Sequence, residues 1–169
     1  MSILELAQLP LFNDLSAEQL ELLQPLVEIC SYSKDTIVFE QGQEAVYLYI
    51  VMSGDVSVRY KPYDGTALTV ATVHSGGVFG WSAALGRDNY TSGALCLTDC
   101  TAYRIAGKKL HLLCEKYPET GVIILEKLTT VITERLRNTH DQVLSLLTQA
   151  ADETGECLRR QENHDREQY

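Results

Sequence analysis

Between Val27 and Ile105 the apolar residues recur at every second position, and glycine interrupts the runs at short intervals. A period of two puts successive side chains on opposite faces of a strand, so each strand has one apolar face to bury. The runs Thr36–Phe39, Val46–Val51, Val56–Tyr60, Leu68–Val73 and Thr101–Ile105 are rich in β-branched and aromatic residues. Turn signals stand between them at Lys34-Asp35, Gly42, Ser53-Gly54, Asp64-Gly65 and Gly76-Gly77. Short strands with this punctuation predict a double-stranded β-helix, or jelly roll. The chain is mainly β with flanking helices.

The flanks carry a helical period. Ile3 to Leu9 is apolar on one face and stops at Pro10. Ser16, with Gln19 at the third helical position, is a capping-box arrangement ahead of Leu20, Leu22 and Leu23, and Pro25 closes the segment. After the β region, Lys108 to Tyr117 predicts a short helix, and Pro118 suits the first turn of a long helix over 119–150. At ~1.5 Å per residue that helix extends ~45 Å, longer than one barrel can cover. Its seam, Leu125, Thr129, Ile132, Leu136, Thr139, Val143, Leu146 and Ala150, alternates steps of four and three. That is the spacing of a coiled-coil pair, which predicts a parallel homodimer through 119–150. The alternative is a helix lying back along its own barrel, since Thr129 and Thr139 weaken a zipper. The expected division is a barrel with helical lead-in over 1–117, the dimerisation helix over 118–150, and a polar, solvated tail over 151–169.

Charge limits the partners. With 14 Lys and Arg against 23 Asp and Glu, the net charge of −9 argues against direct nucleic-acid binding and against an anionic membrane surface. The first residues form no basic leader, and no apolar run reaches the roughly 18 residues that span a bilayer. A cytoplasmic protein is expected. Its five cysteines, Cys30, Cys96, Cys100, Cys114 and Cys157, are scattered without a C-x-x-C pair and read as free thiols. Cys96 and Cys100 are close enough in sequence to meet. The four histidines, His74, His111, His140 and His164, are far apart, and no nucleophile elbow or P-loop occurs. No metal site and no enzymatic activity are expected.

Particular residues carry a family resemblance. Leu11-Phe12-Asn13-Asp14-Leu15-Ser16, Glu40-Gln41-Gly42, the stretch Tyr47 to Val56, Gly76-Gly77-Val78-Phe79-Gly80, Leu97-Thr98-Asp99-Cys100 and Tyr103-Arg104-Ile105 follow one another in a characteristic order. Together they resemble the cyclic-nucleotide-binding domain of the Crp/Fnr family over roughly residues 10 to 147. The resemblance implies a regulatory module. It also implies a phosphate-binding cassette after Phe79-Gly80, where a short helix would aim its free N–H groups at a cyclic phosphate.

In that family a Glu after Phe-Gly receives the ribose hydroxyl, and an Arg about nine residues on pairs with the phosphate. Here those positions hold Trp81 and Tyr90. Losing two charge-assisted bonds of ~1.5–3 kcal/mol each weakens binding by about 10² to 10⁴-fold. The donors left for a cyclic nucleotide or other small anion are the backbone at Gly80, Trp81, Ser82 and Ala83 and the hydroxyls of Ser82, Thr91 and Ser92. Arg87 is the candidate substitute guanidinium, and Thr139 aligns with a base-contacting threonine of the dimer helix. The competing expectations are that Trp81 fills the sugar cavity and that Tyr90 is a strand aromatic at its mouth. The helix-turn-helix of the family's transcription factors has no counterpart in 151–169. The expectation is therefore a non-enzymatic module signalling through a protein partner or an unknown ligand, with cAMP or cGMP binding by substitute contacts as the alternative.

Overall fold

Ser16 begins the second of the predicted helices as its capping box requires. Its hydroxyl accepts from the Gln19 N–H at 3.3 Å, and the Gln19 side chain accepts from the Ser16 N–H at 2.9 Å. The computed structural model describes residues 2–63 and 65–138. The helical lead-in comprises α1 (Ile3–Ala7) and α2 (Ala17–Leu23), with a 3-10 turn at Gln24–Leu26 built around Pro25. Ser2 and Glu5 form a second capping box on α1.

Eight strands follow: β1 (Val27–Tyr32), β2 (Ile37–Phe39), β3 (Tyr47–Ser53), β4 (Val56–Tyr60), β5 (Leu68–Val73), β6 (Val78–Phe79), β7 (Gly93–Cys96) and β8 (Cys100–Ala106). They form two antiparallel four-stranded sheets, in the orders β1-β8-β3-β6 and β2-β7-β4-β5. This is the jelly roll that the period-two runs predict. Helix α3 (Gly107–Lys116) leaves β8 directly, and residues 118–138 form a further helix, α4, starting at Pro118.

Two apolar cores result. One lies between the first sheet and the helices: Leu48, Ile50, Tyr103 and Ile105 meet Leu6, Phe12, Leu23, Leu110, Ile124 and Leu128. The other lies between the two sheets and contains Phe39, Tyr49, Val58, Phe79, Tyr90 and Cys96. In α4, Ile124 and Leu128 are buried on the chain's own core, while Val122 and Leu125 stay 55% and 46% exposed. Up to Ile132 the helix therefore lies along its own barrel on one face and leaves the Leu125 face uncovered. Residues 139–150 of the expected dimer helix, and the tail, lie outside the described residues. Met1–Ile132 form one compact unit.

The candidate ligand cavity and its cassette

The segment after β6 turns sharply at Gly80, whose φ of +71° is a left-handed conformation. A Cβ there would stand 2.8 Å from the Tyr47 carbonyl oxygen and 3.0 Å from the Tyr49 ring. Glycine is thus required both by the backbone angle and by close approach to β3.

Residues 81–86 form successive turns rather than the expected helix. Their bonds are irregular: the Ala83 N–H donates to Gly80 at 3.2 Å, Leu85 to Trp81 at 3.0 Å, and Arg87 to Ser82 at 2.9 Å. The Ala83 N–H is therefore already committed and is not a free anion donor.

Tyr90 occupies the interior. Its ring stacks on Phe39 with centroids 3.7 Å apart and planes at 14°. Its hydroxyl donates to the Tyr47 carbonyl at 2.8 Å and accepts from the Tyr47 N–H at 2.9 Å. Burial pushes the phenol above its usual pKa, with the backbone bonds to Tyr47 pulling the other way, so it stays a neutral donor. Behind it, Tyr49 and Phe79 stack at 4.8 Å and 9°, and Phe39 lies 5.8 Å from Tyr49 and 6.0 Å from Phe79. Such offset aromatic pairs add ~0.5–1.5 kcal/mol each beyond burial. The space between the sheets beside the cassette is therefore packed with aromatic side chains.

The other candidate residues divide around this stack. Ser82 is buried and sits 3.5 Å from the Thr91 hydroxyl, and it accepts from the Thr91 N–H at 3.4 Å. These two hydroxyls form one small polar contact, with Ser92 partly buried beside it in sequence. Trp81 does not fill the interior. It is half-buried against the helix-side core, because the turn at Gly80 carries it to the other side of the first sheet. The interior between the sheets holds Tyr90, Phe39, Tyr49 and Phe79 instead. Arg87 is not part of the inter-sheet stack either. It is exposed and lines an outer hollow with Glu44, Asp88 and Lys108. Thr139 lies outside the described residues.

Sequence reasoning missed Phe39, Tyr47, Tyr49 and Phe79 as site residues. The alternation Tyr47, Tyr49 in β3 was the available signal, because it puts both rings on one face.

The histidines that the structure describes are also accounted for. His74 pairs with Asp55 at 2.6 Å on the surface, and His111 donates to the Ala84 carbonyl at 2.6 Å. Cys30, Cys96, Cys100 and Cys114 are free thiols. Burial, with Cys100 beside it, pushes the Cys96 thiol up to about 12. Among the described residues, no helix is long and apolar enough to cross a membrane.

Residues 29–117 match the family described as the cyclic nucleotide-binding domain. The cAMP-activated global transcriptional regulator CRP of Haemophilus influenzae is 29% identical over 116 residues, covering 68% of this chain and 50% of that protein. Glutaminase 1 of Bradyrhizobium diazoefficiens is 31% identical over 134 residues, 78% of this chain and 21% of that protein. The chain thus spans half or less of these curated relatives. A solved cyclic nucleotide-binding domain from Methylobacillus flagellatus superimposes with a TM-score of 0.75 at 20% identity, covering 84% of this chain and 82% of that one.

Proposed function

Because the chain belongs to the cyclic nucleotide-binding domain family, we propose that it is a non-enzymatic regulatory module whose nucleotide cavity is filled by its own side chains. The observation that carries this reading is Tyr90. It stands at the phosphate-pairing position, and its hydroxyl is bonded to both backbone groups of Tyr47. In the family's ligand-gated members, the ligand would supply the link between cassette and barrel. Here the protein supplies it, so the cassette is held without nucleotide.

The output then passes through protein contacts. The uncovered Leu125 face of α4, continued by the four-and-three seam in the sequence, supports a homodimer through 119–150. The net charge of −9 favours a protein partner over nucleic acid, in a cytoplasmic setting.

Trp81 is the only tryptophan in the chain and sits in the cassette, so its emission reports on any ligand-driven movement there. Titration with cAMP and cGMP to millimolar concentration should leave that emission unchanged. A saturable shift with micromolar midpoint would return the domain to the nucleotide-gated class.

A further inference from the structure

A second cavity, of about 410 Å³, lies on the outer face of the β2-β7-β4-β5 sheet. The alternation of side chains places it there: Val58 and Ala94 point into the core, so their neighbours Arg59, Gly93 and Leu95 point outward. Its volume falls in the range of ~300–1,000 Å³ typical of small-molecule sites.

Gly93 gives the cavity its depth. It pairs directly with Arg59 across the ladder, and its backbone angle does not require glycine. A Cβ there would meet the Gln41 nitrogen and Phe39 oxygen at 3.4 Å and the Glu40 carboxylate at 3.7 Å. The rim is tied together by Gln41. Its side chain accepts from the Lys61 N–H at 2.8 Å and donates to the Lys61 carbonyl at 3.3 Å, joining the turn after β2 to the end of β4.

Among the described residues, two cations, Arg59 and Lys61, line this cavity with one carboxylate, Glu40. Among the described residues, neither cation has an ion-pair partner, although the chain as a whole is acidic. Arg59 is partly buried and brings a planar guanidinium to the cavity lining. The rest of the floor is apolar, with Ile37 half exposed beside Leu95 and Ala67.

We propose that this outer cavity binds a small organic monocarboxylate, its carboxylate on Arg59 and Lys61 and its apolar end on Ile37 and Leu95. Guanidinium geometry suits a carboxylate gripped at both oxygens. Glu40 disfavours a second negative charge, which sets a monocarboxylate apart from the phosphate dianion. The cavity shares Phe39 and Ala94 with the wall of the interior stack, and its charged residues, Arg59 and Lys61, are not part of that stack.

The test is a backbone amide NMR titration of the full chain with octanoate and with phenylacetate, using inorganic phosphate at matched ionic strength as the contrast. Saturable shifts confined to 37–41, 59–61 and 93–95 are expected, with phosphate binding at least about tenfold more weakly. Arg59→Gln should weaken the carboxylates about tenfold or more. Gly93→Val should abolish the shifts by filling the floor, while both variants keep the dispersed spectrum of the folded chain. The proposal is overturned by an absence of saturable shifts, by equal affinity in a folded Arg59→Gln chain, or by phosphate binding as tightly as the carboxylates.

Discussion

The Tyr90 hydroxyl closes a two-bond ring on the backbone of Tyr47, donating to its carbonyl at 2.8 Å and accepting from its N–H at 2.9 Å. One side chain thereby satisfies both main-chain groups at the start of β3 and anchors the segment that follows the cassette. Removing the hydroxyl leaves two part-buried backbone groups without that partner, at a cost of ~1–3 kcal/mol. Tyr90→Phe should therefore lower stability by about that amount in urea denaturation, even though its ring still stacks on Phe39. A loss below ~0.5 kcal/mol would mean that the hydroxyl is not structural.

The tight turn at Gly80 makes a second demand on the same region. Gly80→Ala sets a Cβ 2.8 Å from the Tyr47 oxygen in a left-handed backbone. The expected cost is ~1–3 kcal/mol from backbone strain, with further loss from displacing β3. Differential scanning calorimetry reads it directly. An unchanged melting temperature would show that the turn relaxes freely.

Alkaline pH should destabilise the fold. Burial raises the thiol of Cys96 from 9.0 to about 12 and also lifts the phenols of Tyr49 and Tyr90. Above about pH 9 the unfolded chain releases protons that the folded chain retains, so the unfolded state binds fewer protons and stability falls as pH rises. The loss begins near the unfolded thiol value of 9.0 and continues towards 12. Urea denaturation at pH 7.5, 9.0 and 10.5 should show a falling midpoint, with a shallower fall in Cys96→Ala. A flat profile would contradict the burial of these groups.

Much of the architecture was legible because local rules and tertiary packing agree. Ser16 and Gln19 cap α2 as their spacing requires, and Pro118 opens α4. The interior stack was less legible. Phe39, Tyr49 and Phe79 lie on separate strands, and only the pairing of Tyr49 with Phe79 across β3 and β6 brings those two rings together. Trp81 was misplaced for a related reason. Nothing in a dipeptide Gly80-Trp81 says which side of a sheet the turn will deliver its indole to, and the left-handed angle at Gly80 decides it. Arg87, expected as a substitute guanidinium, lies exposed at an outer hollow, because the segment after Gly80 runs as irregular turns.

The proposed dimer draws on the exposed face of α4. Leu125 is 46% exposed and contributes little to the chain's own core, so Leu125→Glu should leave the fold intact. Sedimentation at tens of micromolar should show a dimer for the parent chain and a monomer for the variant. A monomeric parent chain would remove the heptad argument.

The most direct test of the closed cavity is calorimetric titration of cAMP and cGMP into protein shown by native mass spectrometry to carry no co-purified ligand. With Tyr90 stacked on Phe39 and bonded to Tyr47, no saturable heat is expected up to millimolar nucleotide. Micromolar binding of either nucleotide at one site per chain would contradict the account, because the aromatic stack would then have to open to admit it.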